Sequence, residues 1–162
     1  VLTTPEGYYL AAVQRYKEAT FLFRGLAKRG EKAETYAAGA IYLAGVATEC
    51  LYRAFILRTE PDADIKPHDL KALADDRFLK EITNRGVYDK ISRANKFIYE
   101  GWSNEHRYRD NESLNKYYKK HRLVLCKGVR GNVAKYVCGR MLTELEVVFK
   151  VAKEKWRRPR KT

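Results

Sequence analysis

The chain has 162 residues, of which 45% are hydrophobic and 33% charged, and its formal net charge is +13. That length is one domain's worth and can bury a core, and that composition excludes a disordered or fibrous chain. The apolar runs read as too short and too interrupted by charge to span a bilayer, and residues 1–12, with Pro5, Glu6 and no basic start, do not read as a signal peptide.

The charge is unevenly placed. Residues 1–100 carry 16 Lys+Arg against 14 Asp+Glu, whereas residues 101–162 carry 17 against 6. An excess confined to one region is a footprint for a polyanion, and the competing reading is plain solubility. Cys50, Cys126 and Cys138 make no C-x-x-C pair. They read as free thiols of a reducing cytoplasm, and neither a metal site nor a cofactor is expected.

Strand signals are nearly absent and helical periodicity dominates. Thr4, Pro5 and Glu6 form a helix start: a cap, a first-turn proline and an acid at the positive dipole end. Tyr9, Ala12, Val13, Tyr16, Ala19, Phe23 and Leu26 then recur on one face, and Lys28-Arg29-Gly30 closes the helix. This predicts a helix over 5–28. Leu10, Phe21 and Leu22 lie off its stripe and offer a second contact face.

A second helix is predicted over 31–58. Its stripe of Ala37, Ala40, Ala44, Ala47, Leu51 and Ala54 lets a neighbour approach closely, and the first two helices read as an antiparallel hairpin. A polar linker from Thr59 to Pro67 leads to a short helix from His68 to Arg77. A third long helix is predicted over 78–99, with Asn84-Arg85-Gly86 marking a bend or break. Residues 101–121 read as the least regular part. A last helix over 131–155 carries Val133, Val137, Met141, Leu145, Val148, Ala152 and Trp156. The predicted fold is all-α: an up-and-down helical bundle of four long helices plus a short one. It is one domain over 1–156, followed by a fraying basic tail over 157–162.

RNA cleavage without a metal needs a base for the ribose 2′-hydroxyl, an acid for the leaving oxygen, and cations for the phosphorane. His106, Arg107 and Arg109 offer such groups in a compact cluster, and His121 is a further candidate. Trp102 and Tyr108 add stacking surfaces. The competing reading is a solvated loop whose aromatics plug the bundle end. Lys116, Lys119, Lys120 and Arg122, interleaved with Tyr117 and Tyr118 and followed by Lys127 and Arg130, form the best nucleic-acid stretch. Cations take phosphates and tyrosines stack on unpaired bases. An ordinary solvated basic loop is the alternative. Arg157, Arg158 and Arg160 either extend that surface or only solubilise the tail.

Glu49 lies inside the small-residue helix with Arg53 four residues on. It either pairs with Arg53 or orients a cation such as Arg107 or Arg109. His68-Asp69 reads as the start of the short helix, with Asp69 as its cap, rather than as a catalytic pair. No P-loop, G-x-G-x-x-G, H-E-x-x-H or EF-hand pattern occurs.

Tyr42 to Ile56 with Glu49, Lys66-Pro67-His68-Asp69-Leu70, and Trp102 to Asp110 with Arg107-Tyr108 follow one another in a recognisable order. In that order they resemble a HEPN (higher eukaryotes and prokaryotes nucleotide-binding) domain over about residues 8–155. The resemblance implies a helical homodimer that holds RNA or a nucleotide. It also implies a setting in bacterial defence or toxin–antitoxin systems, or a nucleotidyltransferase partner.

Ribonuclease members of that family carry Arg, four to six residues, then His. No arginine precedes His68, His106 or His121 at that spacing; the nearest approach is Lys116 before His121. Lysine keeps the charge but loses the planar fork that braces a phosphate. The departure predicts weak or absent ribonuclease activity of the family's kind. Three functions compete: a nucleotide- or RNA-binding module, a divergent metal-independent endoribonuclease, and a structural helical adaptor.

Overall fold

In the computed structural model, residues 4–65, 68–121 and 126–158 are described. They form an all-helical bundle with six α-helices and no strand among the described residues: α1 (Pro5–Thr20), α2 (Ala37–Thr59), α3 (Leu70–Leu73), α4 (Arg85–Gly101), α5 (Asn111–His121) and α6 (Val133–Arg157). Four are long, as predicted; the difference lies in α5, which makes a second shorter helix beside α3.

Local chemistry sets the ends. Thr4 Oγ1 accepts the Gly7 N–H at 3.0 Å, with Pro5 opening the helix behind it. After Thr20 the chain continues through a π-turn, Phe21–Gly25, and a 3-10 turn, Ala27–Arg29. It leaves at Gly30, whose φ of 94° is the left-handed cap that glycine adopts without strain. The second helix does not begin at Glu31: a 3-10 turn, Ala33–Tyr36, precedes α2.

The core is centred on α2. Ala37, Ala40, Ile41, Ala44, Ala47, Leu51 and Phe55 are fully buried. The stretch Ala33–Thr59 is, contrary to the reading above, long and apolar enough to cross a membrane by length and composition. Two-thirds of its apolar window (67%) is buried inside the bundle, so packing accounts for that character. The small-residue stripe has a specific occupant. The indole of Trp102 lies directly over Gly45 and donates its Nε1–H to the Tyr42 carbonyl at 3.2 Å. Aromatic pairs tie α1 to α6: Tyr9 stacks on Trp156 at 4.4 Å between ring centres, and Tyr16 on Phe149 at 4.8 Å.

The predicted helix over 78–99 is corrected. Phe78 belongs to a π-turn, Ala74–Phe78, and packs against Tyr52 and Phe55 of α2. A 3-10 turn, Leu79–Glu81, follows, and Ile82 is extended. Asn84 then restarts the chain, its Oδ1 accepting the Val87 N–H at 3.1 Å. The expected break is therefore a full interruption.

The expected irregularity of 101–121 is also corrected. After a 3-10 turn, Asn104–Tyr108, α5 runs for 11 residues. Its polar side chains dock it. Asn111 Oδ1 accepts the Ala38 N–H at 2.7 Å, and its Nδ2 donates to the Thr35 carbonyl at 2.6 Å. Asn115 Oδ1 accepts the Val133 N–H at 2.8 Å. The first-turn N–H groups of α2 and α6 have no partner inside their own helices, so α5 satisfies both.

The predicted last helix holds, extended to Arg157. Arg58 donates to the Trp156 carbonyl at 3.0 Å and to the Arg158 carbonyl at 2.8 Å, fastening that end. Lys66, Pro67, Arg122 and the tail residues Pro159, Arg160 and Lys161 lie outside the described residues.

Candidate nucleic-acid interface

Residues 102–121 hold most of the side chains singled out from the sequence. Ser103 caps the 3-10 turn, and its backbone N–H donates to Nδ1 of His106 at 3.3 Å. That bond makes Nδ1 the acceptor, so in the neutral ring the proton sits on Nε2. His106 is only 2% exposed, and its Nε2 is buried without a partner. Burial, with the Arg109 guanidinium beside it, pushes its pKa down to about 4. The ring meets Tyr117 and Tyr118 edge-on at 5.4 and 5.8 Å. A neutral, enclosed imidazole is part of the packing, and this corrects its placement as an accessible general base.

Tyr118 is corrected likewise. Its ring is fully buried, and its hydroxyl donates to the Gly101 carbonyl at 2.5 Å. It offers no open face to a base. Tyr117 is half-buried and is the hub of the cluster. The Arg109 guanidinium lies 4.8 Å from its ring centre and the His121 imidazole 4.4 Å. Arg109 Nε is buried without a hydrogen-bond partner.

The accessible part lies around this core. Tyr108 is 76% exposed and carries the exposed Arg107 guanidinium 4.6 Å from its ring centre. Lys119, Lys120 and His121 are exposed at the end of α5, and Lys127 and Arg130 are exposed beyond it. Lys116 is also exposed but engaged, its Nζ 2.6 Å from Glu112, and that contact raises its pKa. The structure thus joins Arg109, Tyr117 and His121 in one contact chain, sets Arg107 on Tyr108, and takes His106 and Tyr118 into the core.

A second cluster lies on α2. Glu49, 8% exposed, uses both carboxylate oxygens: Oε1 accepts from Arg53 Nε and Oε2 faces His68 Nδ1, each at 2.9 Å. Of the two roles open to Glu49, pairing with Arg53 is realised, and His68 is a third member that sequence reasoning missed. Asp69 caps α3 as expected, its Oδ1 accepting the Ala72 N–H at 3.0 Å. His68 has φ of 66°, the left-handed region, unusual outside glycine. A cleft of about 250 Å³ opens beside it, lined by His68, Asp69, Leu70, Lys71, Tyr99 and Trp102. Nothing in the linear order signals the 19-residue reach from Glu49 to His68; the only cue was that a mid-helix carboxylate needs a partner.

No protein-family model, curated protein or solved structure matches this chain.

Proposed function

We propose that the protein binds single-stranded RNA or a nucleotide through the surface formed by Arg107, Tyr108, Arg109, Tyr117, Lys119, Lys120 and His121. The observation that carries this reading is the exposed Arg107–Tyr108 pair beside the Arg109–Tyr117–His121 chain. Flexible lysines supply phosphate contacts without sequence preference, and an open tyrosine face takes a base. The regional charge supports it: 17 Lys+Arg against 6 Asp+Glu over residues 101–162. His106 acts in this reading as the packed pivot under Tyr117. The setting that the HEPN resemblance implies, bacterial defence or a nucleotidyltransferase partnership, belongs to the same proposal, as does symmetric pairing of two chains.

Fluorescence anisotropy with labelled single-stranded RNA in EDTA tests it. Tyr108→Ala is expected to weaken binding by roughly 5- to 150-fold, the scale of one lost base stack of about 1–3 kcal/mol. Its melting temperature should not move, because the ring is exposed. Unchanged affinity in that variant would reject this surface.

A further inference from the structure

The cleft of about 250 Å³ beside His68 shares no lining residue with the binding surface. Two segments line it: His68, Asp69, Leu70 and Lys71 make one, and Tyr99 with Trp102 at the end of α4 make the other. Its volume falls just below the usual range for ligand clefts, roughly 300–1,000 Å³, so it suits one small molecule and not a chain. Both segments are pinned. Glu49, itself fixed by Arg53, faces the His68 imidazole at 2.9 Å. The Trp102 indole sits on Gly45 and gives its N–H to the Tyr42 carbonyl, so ring surface is what it offers the cleft. Groups already held in place lose little freedom when a ligand arrives.

The polar groups there have a definite pattern. A carboxylate only accepts, so the Nδ1 that faces Glu49 Oε2 carries the proton of the neutral His68 ring, and Nε2 is an acceptor. Asp69 uses Oδ1 for the Ala72 N–H, and its other oxygen is a further, anionic acceptor. Lys71, two residues on, is exposed and brings a cation. Neither Asp69 nor Lys71 forms an ion pair with another described residue. His68 is also held at φ 66°, and strained backbone in a non-glycine residue is concentrated at functional sites.

We infer that this cleft binds a free α-amino acid with an aromatic or large apolar side chain. A zwitterion matches one anion and one cation set two residues apart. Its carboxylate meets the Lys71 ammonium, and its own ammonium meets Asp69 and the lone pair of His68 Nε2. Its side chain lies against Tyr99 and Trp102, where ring and apolar surface leaves water. The pair of opposite charges also discriminates: Asp69 disfavours a ligand with negative charge alone, and Lys71 one with positive charge alone. The inference is independent of the RNA-binding reading.

Isothermal titration calorimetry of the full chain with L-phenylalanine tests it. Phenylalaninamide, which lacks the carboxylate, and phenylpropionate, which lacks the ammonium, are the companion probes. Each should bind about 10-fold or more weakly than L-phenylalanine, the scale of one lost charged hydrogen bond. In nitrogen-edited NMR the indole N–H of Trp102 should shift on adding L-phenylalanine while that of Trp156 stays. Lys71→Met should weaken L-phenylalanine to the same degree and leave phenylalaninamide unchanged. Asp69→Asn keeps an oxygen for the Ala72 N–H, and it should weaken L-phenylalanine and leave phenylpropionate unchanged. Both side chains are exposed, so both variants should melt like wild type. Absence of heat and of a Trp102 shift with L-phenylalanine in the millimolar range would overturn the inference. Equal affinity for L-phenylalanine and its two analogues would overturn it too, because the charges would then play no part.

Discussion

A methyl group placed on Gly45 would lie 2.0 Å from Nε1 of Trp102. No side chain fits between α2 and the indole, so the alanine-and-glycine face of α2 is a seat shaped for Trp102. The indole in turn forms one wall of the His68 cleft and starts the segment bearing Arg107 and Tyr108. Close packing of one glycine therefore sets the position of both the cleft wall and that segment.

Gly45→Ala is expected to destabilise the fold by about 1–3 kcal/mol or more, because Trp102 must leave its seat and its bond to the Tyr42 carbonyl. Chemical denaturation with tryptophan fluorescence reads both the stability and the displaced indole. A variant with wild-type stability and emission would contradict the packing described.

Asn111→Ala removes the partner of two backbone groups, the Ala38 N–H and the Thr35 carbonyl. The expected loss is about 1–2 kcal/mol, the scale of a lost helix cap. Hydrogen exchange should show the first turn of α2 opening first. Exchange unchanged in that turn would mean that α5 does not secure it.

These two residues show what the sequence could disclose. Thr4, Gly30 and Asp69 announce local ends, because a cap acts on backbone within a few residues, and all three cap as expected. Asn111 and Asn115 act on other helices. Their polarity reads as a solvated loop, and with only Leu114 and Tyr118 of α5 buried the apolar pattern is too sparse to announce that helix. The same limit hid the burial of His106 and Tyr118, which lie in a polar stretch whose fate depends on docking. It hid the Glu49–His68 pair as well. Phe78 and Ile82 extended the apolar pattern of α4 backwards, although tertiary contact with α2, and not helix continuity, accounts for Phe78.

Stability should fall on the acid side through His106. Its folded pKa of about 4 lies below the unfolded value of roughly 6.5, so the unfolded chain binds more protons between them. Stability therefore rises with pH across that window. This contribution is fully present above about pH 6.5 and is lost as pH falls toward 4. The difference corresponds to a few kcal/mol at most, about 1.4 for each pH unit. His106→Gln should flatten the slope of stability against pH between 6.5 and 4. An NMR titration that finds the His106 ring charged at pH 6 would contradict its enclosure.

The pairing of two chains that belongs to the proposed function has a candidate face on α1. Leu10 is 67% exposed there, and Phe21 beyond its end is also exposed. A symmetric interface would cover them from both chains. Light scattering at high micromolar concentration should report a dimer for wild type and a smaller species for Leu10→Glu. Wild type that stays monomeric at that concentration would reject the pairing.

If, as proposed, RNA is held through phosphates by the basic end of the chain, the salt dependence of binding reads it most directly. For single-stranded RNA each neutralised phosphate adds about 0.7 to the slope of log affinity against log salt. Replacing Lys116, Lys119, Lys120 and Arg122 together with alanine should flatten that slope by about two to three units, about 0.7 for each cation that meets a phosphate. Lys116, already engaged by Glu112, contributes the least of the four. A flattened slope with unchanged melting is the predicted result. A slope equal to that of wild type would show that these cations do not meet phosphates and would contradict the account.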